Sequence, residues 1–268
     1  MMLELGAGQA LFYEYDAPGA GKPVFVFVNA LTGSTAAWQA DVGPALRAEG
    51  YGTLCYNFRG QAESQFAASD VLDENTIVSD LMVIVAHVAP PKPIYVGLSI
   101  GGLFAARAIL KGAPAHGLVL INTLRKPGTA LAWINEAVTR AAALGGAALI
   151  MDMNLPMLVG PAFLEKMRPN CLTDALYVPP GEGEGAMQLL AHSRSADWDV
   201  PYEELNLPTL VLTGRRDRVF YNEDDVAELK ARLPNASEKV FANYGHLLPM
   251  EAGSETASAL SEFAGTLA

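Results

Sequence analysis

Gly97-Leu98-Ser99-Ile100-Gly101 is a G-x-S-x-G sequence, and a third glycine, Gly102, follows it. It lies between an apolar run, Ile94–Leu98, and a stretch with helical spacing, Ile100–Lys111. A sharp turn from strand to helix forces its serine into a strained backbone conformation and projects the hydroxyl beyond the strand. Bulky residues at positions 97 and 101 would collide with neighbouring backbone, which accounts for the glycines. The amide of Ile100, at the start of the helix, can then stabilise an oxyanion. A serine hydroxyl is a poor nucleophile without a base, so a histidine must lie within hydrogen-bond reach. Four histidines are available: His87 falls late in a helical pattern, His116 approaches a strand and His192 lies in a helical stretch, all expected to be structural or solvated. His246 follows Gly245 just after the last strand-like run, where a loop can deliver an imidazole. The orienting acid should come from the end of an earlier strand, and Asp217 follows the run Thr209–Thr213 by a few residues. The plainer reading of Asp217 is a surface carboxylate paired with Arg215, Arg216 or Arg218. Asp224 and Asp225 instead suit the first turn of the next helix.

These residues need a scaffold, and short apolar runs supply one. Val24–Val28, Gly52–Tyr56, Ile94–Leu98, Gly117–Ile121 and Thr209–Thr213 read as buried parallel strands, with Ser237–Ala242 as a final strand. Helical spacing falls between them, over Ala37–Glu49, Asn75–Val88, Ile100–Lys111 and Glu223–Leu233. Alternation of this kind predicts an α/β fold with a mostly parallel sheet flanked by helices. Leu3–Glu14, with Gly6 and Gly8, predicts an antiparallel hairpin on one edge. From Leu124 to Asn206 the strand signal stops and proline-punctuated, Met-rich helical stretches replace it. The expected organisation is therefore a core of residues 1–123 and 207–268 carrying a helical lid insertion over 124–206.

Composition narrows the function classes. The 268 residues carry 18 Lys and Arg against 29 Asp and Glu, a net charge of −11. So acidic a chain is not expected to bind nucleic acid, because it lacks the cations that displace counterions from phosphates. With 51% apolar residues it can bury a core and is not a disordered chain. Two cysteines, Cys55 and Cys171, make neither a disulfide framework nor a metal-ligand set, so no metal and no cofactor is expected. No secretory signal is expected ahead of Lys22. The longest run free of charged and polar side chains, Ala141–Met151, is too short for a membrane span. A cytoplasmic protein acting on a small molecule is the resulting expectation.

The order Ser99, Asp217, His246 is that of the α/β-hydrolase superfamily, which the chain resembles over essentially its whole length. The resemblance rests on Gly-Leu-Ser-Ile-Gly-Gly at 97–102, Asn-Phe-Arg-Gly at 57–60, Gly-Arg-Arg-Asp at 214–217 and Gly-His-Leu-Leu-Pro-Met-Glu at 245–251. It implies a lidded serine esterase with Ser99, Asp217 and His246 as catalytic triad and the amides of Ile100 and Leu31 (or Ala30) as oxyanion hole. A serine at the elbow argues against the branches that place aspartate there. Alternatives with the same triad are a carbon–carbon bond hydrolase or an acyltransferase, and a small-molecule receptor is the non-catalytic one. Two departures stand out. Asn29-Ala30 replaces the common His-Gly after the third strand, and Asn57-Phe58-Arg59-Gly60-Gln61-Ala62 replaces Asp-x-Arg-Gly-x-Gly. Asn29, Met151, Met153 and Met157 are the candidate pocket residues. The segment Ala141–Phe163 is so apolar all round that it must be buried or wall an apolar pocket, which predicts a preference for uncharged acyl chains.

Overall fold

The apolar runs become strands that are buried on both faces. In the computed structural model, which describes residues 1–123, 126–181 and 183–267, eight strands form one sheet: β1 (Met2–Gly6), β2 (Gln9–Asp16), β3 (Val24–Val28), β4 (Gly52–Tyr56), β5 (Pro93–Leu98), β6 (Gly117–Ile121), β7 (Thr209–Gly214) and β8 (Ala236–Phe241). Their spatial order is β1-β2-β4-β3-β5-β6-β7-β8. The pairs β1–β2 and β2–β4 are antiparallel and every other pair is parallel, so the predicted hairpin does form the antiparallel edge. Every residue of β3 to β7 is buried, as covered parallel strands require.

The helices are α1 (Ala36–Gln39), α2 (Val42–Ala48), α3 (Glu74–Val88), α4 (Ile100–Leu110), α5 (Thr129–Leu158), α6 (Pro161–Met167), α7 (Gly185–Ser193), α8 (Glu223–Arg232), α9 (Leu248–Glu251) and α10 (Gly253–Gly265). Side chains of β3 alternate between two cores. Val24, Val26 and Val28 belong to one core with residues of α3, α4 and α8, while Phe25 and Phe27 belong to the other with Trp38, Val42, Leu46 and α10. The helix expected over Ala37–Glu49 is instead two, separated at Asp41, whose φ of −136° and ψ of −50° are not helical. Pro44 explains the break: it has no N–H to offer the Ala40 carbonyl, and its ring would crowd it.

Between β6 and β7 the chain is helical, as the lost strand signal predicts; Leu124 and Arg125, at its expected start, lie outside the described residues. Of the two outcomes expected for Ala141–Phe163, burial all round is not the one that α5 shows. Ala141, Ala142, Gly145 and Leu155 are buried, but Trp133, Leu144, Met153 and Met157 face solvent. The helix rests on the rest of the molecule with one side only, so the other stays in water. By length and composition α5 is long and apolar enough to cross a membrane, which the run Ala141–Met151 alone did not indicate. Gly145 and Gly146 break it, the latter with φ +62° and ψ −157°, and neither half reaches the about 20 residues that a bilayer core needs.

Candidate active site

The parallel register aligns the ends of five strands. Val28 pairs with Gly97, Leu98 with Ile121, Ile121 with Leu212 and Gly214 with Phe241. The loops that carry Asn29, Ser99, Asn122, Asp217 and His246 therefore leave the same edge of the sheet. Ser99 has φ +57° and ψ −125°, a left-handed conformation that a serine adopts only under constraint. The constraint is steric. A Cβ on Gly97 would collide with the backbone of Gly101 and Gly102, one on Gly101 with the carbonyls of Val28 and Asn29, and one on Gly102 with Thr123. Only glycines let α4 pack this tightly behind the turn. The Ser99 amide remains bonded to the Ile121 carbonyl at 2.8 Å, so the strain costs no backbone hydrogen bond. Ile100 is the first residue of α4, where an amide has no acceptor within its own helix.

Asp217 and His246 meet. The distance from His246 Nδ1 to Asp217 Oδ2 is 2.7 Å, and both side chains are almost wholly buried. A carboxylate can only accept, so the shared proton sits on Nδ1 and Nε2 is left as the basic nitrogen. The other carboxylate oxygen, Oδ1, accepts from the amides of Val219 and Phe220 at 3.0 and 2.9 Å. Asp217 is thus a buried partner of the imidazole rather than a surface carboxylate paired with its flanking arginines. The Phe220 ring lies 5.2 Å from the imidazole and covers it.

Two further side chains hold this arrangement, and the sequence reading assigned neither a role. Asn122 donates through Nδ2 to the carbonyls of Gly245 and His246 and accepts the Gly214 amide on Oδ1, at 2.9–3.0 Å, so it ties β6 and β7 to the histidine loop. Glu251 accepts the amides of Gly245 and Leu247 and, from the insertion, that of Gly160. Its place in the 245–251 stretch was the only signal for it. The C-terminal end of α5 is anchored here as well, because the His246 amide donates to the Leu158 carbonyl and the Arg218 amide to the Met157 carbonyl. The Cys55 thiol is buried, and burial pushes its pKa far up, so it stays protonated and is no competing nucleophile. Among the described residues no group of three or more His, Cys, Asp or Glu is placed to hold a metal.

The candidate pocket residues are placed otherwise than expected. A cavity of about 570 Å³ opens between Leu31–Gly33, Gly60–Ala62, the kink of α5 and α7. Leu31 lines it, but Ala142, Gly145–Ala148, Ile150, Met187 and Leu190 form the wall expected of Met151, Met153 and Met157. Met151 packs instead on Leu155, Val159 and Phe163, while Met153 is 56% and Met157 44% exposed. The kink turns the small residues of α5 inward and the methionines away. Asn29 is wholly buried and bonded to Tyr56, Gln61 and Trp38, so it is part of the framework rather than the pocket surface. Glu184 is the one charged side chain among the described residues lining the cavity.

Known proteins share this arrangement of elements. The chain is similar to 3-oxoadipate enol-lactonase 2 of Acinetobacter baylyi, 24% identical over 209 residues, which are 75% of this chain and 73% of the relative. Among solved structures it superposes on an alpha/beta hydrolase enzyme from a Medee basin deep-sea metagenome library with TM-score 0.82, at 19% identity and covering 99% and 97% of the two chains. An esterase from Exiguobacterium antarcticum gives TM-score 0.79 at 16% identity, with 96% of each chain covered. The enol-lactonase from Burkholderia xenovorans LB400 gives 0.79 at 20% identity, again with 96% of each covered. A sequence model of the alpha/beta hydrolase fold matches residues 23–253, most of the chain, so this protein belongs to the alpha/beta hydrolase family.

Proposed function

We propose that the chain is a serine hydrolase that cleaves a small or medium, predominantly apolar carboxylic ester through an acyl-enzyme. The observation that carries this reading is the 2.7 Å bond between His246 and the buried Asp217, at the sheet edge where Ser99 is held at φ +57°. In the proposed cycle Ser99 Oγ attacks the ester carbonyl while His246 Nε2 takes its proton. The oxyanion is held by the amides of Ile100 and Leu31. The tetrahedral intermediate collapses as His246 gives that proton to the leaving alcohol, and Ser99 is left acylated. Water, deprotonated by His246, then attacks the acyl carbon, and the carboxylic acid leaves as Ser99 regains its proton. Asp217 fixes the imidazole and stabilises the imidazolium.

The cavity beside Leu31 supports the substrate class. Its wall is largely Ala, Gly, Pro, Val, Leu, Ile and Met, and its one described charge is negative, which favours an apolar, uncharged acyl group over a dicarboxylate. The helical insertion, by this reading, is the lid that closes that cavity. A relative named an enol-lactonase and a neighbour named an esterase belong to the same ester chemistry. The test is labelling with a fluorophosphonate together with turnover of p-nitrophenyl acyl esters. Ser99→Ala should abolish labelling and lower kcat by at least about 10⁴-fold, and adding His246→Ala should cost little more, because triad members act as a unit. Labelling and turnover near wild type in Ser99→Ala would refute the assignment.

A further inference from the structure

The two stretches that depart from the family pattern touch each other through Asn29 and, at an unrestricted position of the second stretch, Gln61. Asn29 and Gln61 are 32 positions apart, yet Asn29 Nδ2 donates to Gln61 Oε1 at 3.0 Å and to the Tyr56 carbonyl at 2.9 Å. Gln61 is buried and uses all four of its hydrogen-bonding positions. Its Oε1 also accepts the Phe58 amide at 3.0 Å, and its Nε2 donates to the carbonyls of Ala30 and Leu31, both at 2.9 Å. Trp38 Nε1 donates to Asn29 Oδ1 at 2.8 Å and so fixes which end of that amide faces Gln61. The loop bearing Gln61 is itself anchored: Arg59 binds Asp80 in a two-pronged pair at 2.7 and 2.9 Å and reaches Asp70 at 3.2 Å.

We infer that Gln61 is a positioning residue for the oxyanion hole, because its side-chain amide grips the Ala30 and Leu31 carbonyls and so sets the direction of the Leu31 N–H. In a trans peptide the C=O of Ala30 and the N–H of Leu31 belong to one rigid plane and point opposite ways. Holding the Ala30 oxygen against Gln61 therefore aims the Leu31 amide to the far side. Ala30 has no positive φ, so the loop does not need the glycine usual there; Gln61 and the Gly33 amide, which donates to the Ala30 carbonyl at 3.0 Å, share the constraint, and Gln61 alone extends it to the Leu31 carbonyl. Gly101 closes the arrangement from below, since the carbonyls of Val28 and Asn29 lie where its Cβ would be. A donor held this way needs no reorganisation when charge develops on the substrate oxygen, and a misplacement of about 1 Å can cost on the order of 10² in rate.

This inference rests on the reading of Ser99 as nucleophile, and the experiment separates the two. Gln61→Glu keeps the size and both acceptor contacts but turns the donor to Ala30 and Leu31 into an acceptor. Active sites are counted by fluorophosphonate labelling, kcat and KM are measured on p-nitrophenyl butyrate, and butylboronic acid is used as an inhibitor that forms a tetrahedral adduct on serine. The expected result is a kcat per labelled site about ten- to a hundred-fold lower, KM within about two-fold, and boronate affinity lost in parallel with kcat. A purely structural role would lower the thermal midpoint and the number of labelled sites, not the rate per site. Should Gln61→Glu fail to fold, Trp38→Phe, which removes the N–H that orients Asn29, should lower kcat per site about three- to ten-fold by the same loosening. A folded variant with kcat per site and boronate affinity within two-fold of wild type overturns the inference alone. A wild type that neither labels on Ser99 nor binds the boronate overturns the reading of the site, and this inference with it.

Discussion

The loops after β3 and β4 and the helical insertion border the same cavity, but different physics holds the sheet and the insertion in place. Strands β3, β5, β6 and β7 are buried at every residue and paired on both sides. The turn after β5 is fixed by glycines with no room for a Cβ. In α5, by contrast, four residues are buried and large apolar side chains stand in solvent. Its C-terminal end is tied by main chain, through Met157 and Leu158, to the loops of Asp217 and His246, and Glu136 in its N-terminal half pairs with Arg194 after α7. A region held from all sides can be altered chemically without moving, so substitutions there should act on rate. Substitutions in a region packed on one side should act on which substrate fits.

The largest effect that would break this contrast lies at the strand edge. Asp217→Asn keeps the shape but leaves the imidazole in the wrong tautomer, and kcat should fall by about 10⁴, the size known for the equivalent change in a chymotrypsin-type enzyme. Asn122, just after β6, is an amide that cannot carry an acid's charge, and its side-chain bonds to Gly214, Gly245 and His246 make it a clamp. Asn122→Ala should therefore lower kcat by only about ten- to a hundred-fold, as the histidine loop loosens. Single-turnover kinetics on both variants would check this. A severe Asn122 effect beside a near-neutral Asp217→Asn would refute Asp217 as the orienting acid.

Glycines sharpen the comparison in stability. A Cβ on Gly101 meets the carbonyls of Val28 and Asn29, backbone that β3 cannot give up, so Gly101→Ala should cost about 3 kcal/mol or more. At roughly 2–4 °C per kcal/mol the midpoint should drop by on the order of 10 °C in calorimetry. At Gly145 the nearest atoms are the Cβ atoms of Leu149 and Tyr177, at 2.7 and 2.9 Å, which move only with their own backbone, so relief must come from a small main-chain shift in a helix packed on one side. Gly145→Ala should cost less than about 1.5 kcal/mol, part of the overpacking being offset by lower chain entropy. Equal costs at the two sites would mean that the insertion is as tightly held as the sheet.

The same contrast governs what one sequence can disclose. Five-residue apolar runs such as Val24–Val28 announce buried strands because both of their faces must be covered. The glycines around Ser99 announce a turn because no other residue fits. His246 and Asp217 follow from strand ends and chain order. The cavity wall was hidden for a physical reason: α5 is apolar on every side, so its pattern carries no phase, and the left-handed Gly146 decides which side faces inward. From α5 it is mainly alanines and glycines, not Met151, Met153 or Met157, that line the space. Asn29 misled in another way. A polar residue after a strand looks free to bind a ligand until its partner, Gln61, arrives from 32 positions away.

The smallest predicted effect tests that correction directly. Met187 lines the cavity on α7, whereas Met153 points from α5 into solvent. For the wild type, kcat/KM should rise with acyl length by a few-fold per methylene, following about 0.8 kcal/mol per buried CH₂. Met187→Ala removes wall that the distal methylenes would touch, so it should flatten the rise between butyrate and octanoate esters while leaving acetate turnover within about two-fold. Met153→Ala should leave the whole profile and the thermal midpoint unchanged, within the about 0.5 kcal/mol usual for surface positions. A profile flattened by Met153→Ala and not by Met187→Ala would mean that α5 presents its other face to the substrate, and that the break at Gly145–Gly146 is not the feature that shapes the cavity.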